Sequence, residues 1–267
     1  MFGLSEPAIR LLAFAVIFLT LAALEIWSPR LERAEFRAAL KAKRWMANLS
    51  ILLISSLALR VIFPLAAVGT ALWAQTRGFG LFPLFGVKGF PAGFAAFVLL
   101  DFALWLEHLA SHKVPFFWRI HRLHHADTGF DVTTALRFHP LEIVLSMFWK
   151  ALVITALGAP PLAVLVFEIV LNGASMFNHA NINLPLSADS ALRKLIVTPD
   201  MHRVHHSTER RETDSNYGFN FAFWDRLFGT YNSQPAAGHE RMEIGLPDWR
   251  DERPANLLWS LILPFKK

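Results

Sequence analysis

The chain has 267 residues, 54% of them hydrophobic and only 18% charged, whereas soluble domains carry about 25% charged residues. It contains no cysteine, which excludes disulfides, thiolate metal sites, iron–sulfur clusters and cysteine nucleophiles. Its net charge of +5 does not indicate nucleic acid: the basic residues sit beside apolar runs, where anionic lipid headgroups are the simpler partner.

The first apolar run, about residues 7–27, has the roughly 20 residues that cross a bilayer. It is too long for a signal peptide, and Ser28, Pro29 and Arg30 make no small-residue cleavage site. A linker follows with Arg30, Arg33, Arg37, Lys41, Lys43 and Arg44 against Glu32 and Glu35. A second span is expected at about 46–75, interrupted by Arg60 and kinked near Pro64. The third, about 92–107, leads directly into the first histidines. The apolar region 141–178 is too long for one helix, and Gly158, Pro160 and Pro161 lie at its middle. They predict a helical hairpin, re-entrant or fully spanning, that enters and leaves on one side.

The expectation is therefore all-α: one membrane-embedded domain over residues 1–267 with about four transmembrane helices or hairpin elements. A helical cap at 108–140 and 179–231 would hold a dimetal site, followed by a polar tail at 232–267. The basic linker puts that cap in the cytoplasm by the positive-inside rule.

Nine of the eleven histidines fall into four tight groups. His108 and His112 form HxxxH, His121, His124 and His125 form HxxHH, His179 stands alone, and His202, His205 and His206 repeat HxxHH. Positions i, i+3 and i+4 share one helix face, so each box can aim two or three imidazoles at a common point. A zinc-like site is filled by about four ligands. Nine imidazoles thus point to two metal ions in a nitrogen-rich cage, with all nine as candidate ligands. Left without metal, such a cluster would waste buried polar groups and repel itself on protonation.

Ligating imidazoles usually donate their other N–H to a partner. His139, Asp101, Asp127, Asp131 and Asp225 are candidates for that role, with Glu142 and Asp200 also near a box. Asp101 precedes His108 by two turns on the same helix face. Charged groups within apolar spans need partners: Arg60 is expected to pair with Asp101, and Glu168 to face the hairpin interior. His239, in a polar tail, is expected to be exposed and uninvolved.

The histidine boxes, together with Phe138-His139-Pro140-Leu141-Glu142, Asn216-Tyr217-Gly218 and the segment from Trp224 to Thr230, resemble the fatty acid hydroxylase / sterol desaturase superfamily. The likeness covers roughly residues 45–231. It implies an integral-membrane enzyme that uses two iron ions, O2 as co-substrate and external electrons to hydroxylate or desaturate a lipid C–H bond. Hydroxylation is favoured, since one oxidation step suffices. No segment resembles the fused cytochrome b5 domain of some members. Electrons are therefore expected from a separate donor of cytochrome b5, ferredoxin or reductase type, or from a pterin. A bacterial inner membrane is the favoured location, or the endoplasmic reticulum in a eukaryote, with the active site facing the cytoplasm. The lipid itself and the oligomeric state are left open. The competing reading is a membrane metal-binding or metal-transport protein using the histidines for Zn2+ or Ni2+. Transport predicts ligands near the bilayer midplane on broken helices.

Overall fold

A computed structural model describes residues 5–31 and 38–266; Glu32, Arg33, Glu35 and Arg37 of the basic linker lie outside them. The described residues are helical, with three isolated β-bridges and no strand. In chain order the helices are α1 (Glu6–Trp27), α2 (Ala38–Ile62), α3 (Ala66–Arg77), α4 (Leu81–Leu84), α5 (Gly89–Lys113), α6 (Pro115–His125) and α7 (Pro140–Leu157). They continue as α8 (Pro161–His179), α9 (Leu186–Leu192), α10 (Pro199–His205), α11 (Arg210–Thr213), α12 (Phe223–Leu227) and α13 (Leu257–Ile262).

Proline opens α6, α7, α8 and α10. At the first helical position its missing N–H costs nothing and its fixed φ suits the helix. Gly158 closes α7 with φ of 65°, its backbone lying against the Phe79 carbonyl and the Pro83 ring. The left-handed conformation and this close approach both demand glycine.

Five stretches are long and apolar enough to cross a membrane: Glu6–Trp27, Leu40–Leu84, Gly89–Lys113, Pro140–Leu157 and Pro161–His179. Leu11, Leu19, Leu57, Phe90 and Leu152 point outward from them, as lipid-facing side chains do. Ala67, Ala71, Ala96, Leu100, Ile154 and Phe167 pack the core where α3, α5, α7 and α8 meet. Small residues let helices approach closely where lipid supplies no hydrophobic drive between them.

The expected second span at 46–75 is two helices, because Pro64 cannot continue α2 and the chain restarts as α3. Ser55 Oγ donates to the Phe138 carbonyl, immediately before α7. The part of α2 preceding Ser55 therefore runs beside the cap, and the part after it runs beside α7. The third expected span is α5, which reaches Lys113 rather than stopping at 107, so His108 and His112 belong to a long apolar helix. The hairpin arms have 18 and 19 residues, or roughly 27–29 Å at 1.5 Å per residue. That is close to the ~30 Å hydrocarbon core.

Arg60 is exposed and does not pair with Asp101, which accepts instead from Asn220, Phe221 and Trp224. Glu168 bonds Arg10 of α1 and, at 3.0 Å, Lys150 of α7. The C-terminal segment is no polar appendage. Met242, Ile244, Leu246, Trp259 and Leu263 are buried, and Arg122 donates to the carbonyls of Leu263 and Lys266. His239, expected to be exposed, is 8% exposed and lies 3.8 Å from Asp200.

Candidate metal centre

The C-terminal ends of α5 and α8, together with α6 and α10, bring all nine clustered histidines to one end of the helix bundle. An α-helix turns about 100° per residue, so neighbours such as His124 and His125 must face different ways. The imidazoles accordingly sort into two groups: His108, His112, His121, His125 and His205, and His124, His179, His202 and His206. Within each group the donor nitrogens lie within 4.8 Å of one another. Each HxxHH box serves both groups. His121 and His125 enter the first while His124 enters the second; His202 and His206 enter the second while His205 enters the first.

All nine are buried, and carbonyls set which nitrogen faces inward. His108 Nδ1 lies 2.8 Å from the Tyr217 carbonyl, His205 Nδ1 2.6 Å from that of Ser215, and His179 Nδ1 2.7 Å from that of Ser175. A carbonyl only accepts, so each of these Nδ1 atoms carries the proton and each Nε2 offers a lone pair. His179 Nε2 sits 3.1 Å from Nε2 of His124, His202 and His206. Lone pairs converging in this way repel unless a cation lies among them. Tetrahedral nitrogen ligands at ~2.0–2.1 Å from an ion would be roughly 3.3 Å apart, close to these spacings. The Nε2 atoms of His108, His112 and His205 are buried without a hydrogen-bond partner among the described residues. The donor set fits two nitrogen-bound transition-metal ions.

Burial pushes His124, His125, His202 and His206 well below the usual imidazole range, and neighbouring histidines add to the effect. For His205 burial brings the value down to about 3, against the hydrogen bond to Ser215. Neutral imidazole is the form that ligates.

The carboxylate closest to a ring is Glu142, whose Oε1 lies 2.6 Å from His121 Nδ1. Asp214, not singled out from the sequence, lies 3.5 Å from His112 Nδ1. Asp127 and Asp131, expected to hold imidazoles, instead bind the buried Arg44 of α2. Gly129 packs so closely on that guanidinium that no side chain would fit. Asp101 anchors the 220–224 segment to α5 as described above. Asp225 accepts from the backbone of Tyr217 and Gly218 and from Trp105 and Thr230. These four aspartates thus act one layer further out: Asp225 holds the backbone that presents the Tyr217 carbonyl, Asp101 holds the neighbouring 220–224 segment, and Asp127 and Asp131 tie the loop after α6 to Arg44 of α2. His139 lies outside both groups: its Nδ1 accepts from Leu141 N–H and its Nε2 contacts the Leu261 carbonyl.

A cavity of about 230 Å³ runs from His108 and His121 upward between α2, α5, α7 and α8. A second, of about 350 Å³ and lined by Leu106, Phe117, Leu145 and Trp149, shares Glu107, Ser111 and Glu142 with it.

A family model described as fatty acid hydroxylase matches residues 93–230, just over half of the chain. Ornithine lipid hydroxylase OlsE of Rhizobium tropici is 30% identical over 138 residues, 52% of this chain and 41% of that protein. Human alkylglycerol monooxygenase is 31% identical over 155 residues, 57% of this chain and 32% of that protein. Human cholesterol 25-hydroxylase is 27% identical over 136 residues, 50% of this chain and 48% of that protein. The matches thus span less than half the length of these three relatives. No solved structure matches the chain.

Proposed function

This chain belongs to the fatty acid hydroxylase family, and from that premise we propose that it hydroxylates a C–H bond of a membrane lipid. Two iron ions would be held by the nine clustered histidines, with O2 as co-substrate. The observation that carries this reading is a pair of buried, all-nitrogen groups, the first of which lines a cavity between membrane-length helices through His108 and His121. The three relatives are named for hydroxylating or monooxygenating lipids, but three different ones. The lipid is therefore not carried over from them.

Bound iron would supply O2 activation and the oxidation of an unactivated C–H bond, chemistry beyond any side chain here. The first group would be His108, His112, His121, His125 and His205, and the second His124, His179, His202 and His206. His108 and His121 face the cavity, so the reacting carbon meets the centre from their side. Glu142 and the Tyr217 carbonyl hold the outer nitrogens of these two rings, fixing their orientation. Leu104, Phe138 and Ile143 line the same cavity and keep water from the reacting carbon.

Residues 1–267 act as one membrane unit in this reading. Electrons come from a separate protein of cytochrome b5, ferredoxin or reductase type, or from a pterin. The basic residues around the histidine end support a site facing the cytoplasm, with a bacterial inner membrane as the favoured location, or the endoplasmic reticulum in a eukaryote. The metal-transport reading has less support, since the histidines sit at helix ends and not on broken helices at the midplane.

The test is metal analysis and Mössbauer spectroscopy of detergent-purified protein expressed with iron-57, beside a His124→Ala/His205→Ala double variant. We expect about two coupled irons per chain, with the coupling lost in the variant as the His124 group gives up its ion, and an oxidised lipid in extracts of expressing cells. A single zinc, or metal indifferent to the substitutions, would sink the proposal.

A further inference from the structure

The cavity has a second polar end, away from the histidines. Successive turns of α7 present Glu142, Ser146 and Lys150 to it, one stripe along one helix face. Glu142 touches His121 and marks the metal end. Lys150 lies eight residues further along, roughly 12 Å up the helix axis.

There Lys150 Nζ donates to Glu168 Oε1 at 3.0 Å, Glu168 also accepts from Arg10, and Arg10 reaches Glu6 at 3.3 Å. Two cations face two carboxylates, so the cluster is close to neutral. An ammonium has three donors, and among the described residues only Glu168 takes one from Lys150. Asn172 of α8, an exposed residue of that membrane-length helix, also lines the cavity, and its amide has no hydrogen-bond partner among the described residues. On a membrane-length helix an exposed amide faces lipid, which offers it no hydrogen-bond partner, and ionisable groups such as Lys150 and Glu168 on spanning helices usually serve binding or transport. Neither feature is needed by the histidine centre.

We propose that Lys150 and Asn172 bind a neutral oxygen of the lipid, a hydroxyl or an ester-type carbonyl, and so set which carbon reaches the histidines. That this lipid is a substrate rests on the oxygenase reading. The preferred lipids carry that oxygen roughly 12 Å from the oxidised carbon, the axial separation of the two ends. A free carboxylate or phosphate fits less well, because Lys150 is already matched by Glu168, and Glu107 lines the same wall.

The test reads binding, without turnover. Purified full-length protein in detergent is heated with equal concentrations of hexadecanol, hexadecane or hexadecanoate, and unfolding is followed by tryptophan fluorescence. Wild type should be stabilised more by hexadecanol than by hexadecane. Lys150→Met and Asn172→Leu should each abolish that preference while leaving bound metal unchanged. Where Lys150→Met fails to fold, Asn172→Leu decides, since that amide holds no protein partner. Equal stabilisation by hexadecane, or a preference surviving the substitutions, overturns the proposal. Stronger stabilisation by hexadecanoate overturns the assignment of a neutral group. A wild type that shows the preference but oxidises no lipid removes the oxygenase reading and keeps the polar anchor.

Discussion

His124 and His125 are adjacent in the chain yet serve different groups. His124 Nε2 lies 3.1 Å from His179 Nε2, while His125 Nε2 lies 3.2 Å from His121 Nε2. The same division separates His205 from His206. One residue of helical rotation is what allows two short boxes to build two centres side by side.

The two groups should respond unequally to losing a ligand. His125→Ala leaves four imidazoles in its group, whereas His124→Ala leaves three. With about four ligands filling a site, His124→Ala should lose close to one metal ion per chain and His125→Ala clearly less. Plasma mass spectrometry of purified variants measures this. Equal losses would contradict the division of ligands.

Asp225→Ala should be severe although Asp225 touches no histidine. It strands the N–H groups of Tyr217, Gly218 and Trp105, each buried donor costing about 1–3 kcal/mol. The Tyr217 carbonyl that orients His108 would move with them. A fall of several kcal/mol in stability, from that ~1–3 kcal/mol per donor, should accompany partial metal loss. Calorimetry with metal analysis follows both, and Asp225→Asn should be milder.

His139 and Glu142 should separate cleanly. Glu142→Gln weakens the contact on His121 and should reduce metal affinity by roughly 10–100-fold, as for other outer partners of ligating histidines. His139→Ala removes a helix cap worth about 0.5–2 kcal/mol and the contact to Leu261, with metal affinity unchanged. Chelator competition distinguishes them, and limited proteolysis should show a loosened C-terminal segment only in His139→Ala.

His239 should add acid sensitivity of its own. Burial lowers it to about 4, against the pull of nearby Asp200, and an unfolded histidine titrates near ~6.5. Between those values the unfolded chain binds the proton and the folded chain does not. The stability His239 contributes is therefore complete above about pH 6.5 and lost as pH falls toward about 4. His239→Gln should flatten the pH dependence of the unfolding midpoint across that window. Other histidines contribute to both proteins and cancel in the difference. An unchanged slope would mean that His239 is not buried as a neutral ring.

The outer supports were the hardest part to read from the chain. The aspartates near the boxes stood out as partners for imidazoles, but most of that work falls to the carbonyls of Ser175, Ser215 and Tyr217. Every residue has a carbonyl, so no residue type betrays it. Arg44 carried a misleading signal, since a basic residue before an apolar run usually marks the membrane surface. Here it is buried between Asp127 and Asp131, because the chain turns at Gly129 where a side chain would collide with it.

The sequence alone determined the all-helical membrane character, through long apolar runs broken by proline and glycine, and the nine histidines as one nitrogen-rich constellation. Both are local properties, expressed in composition and in spacing along a single helix. Only the tertiary structure decided how the histidines divide into two groups, which atoms hold them from behind, and that Arg10, Lys150 and Glu168 meet beside the cavity. Those relations join residues as much as 158 positions apart, and they exist only once the helices have packed.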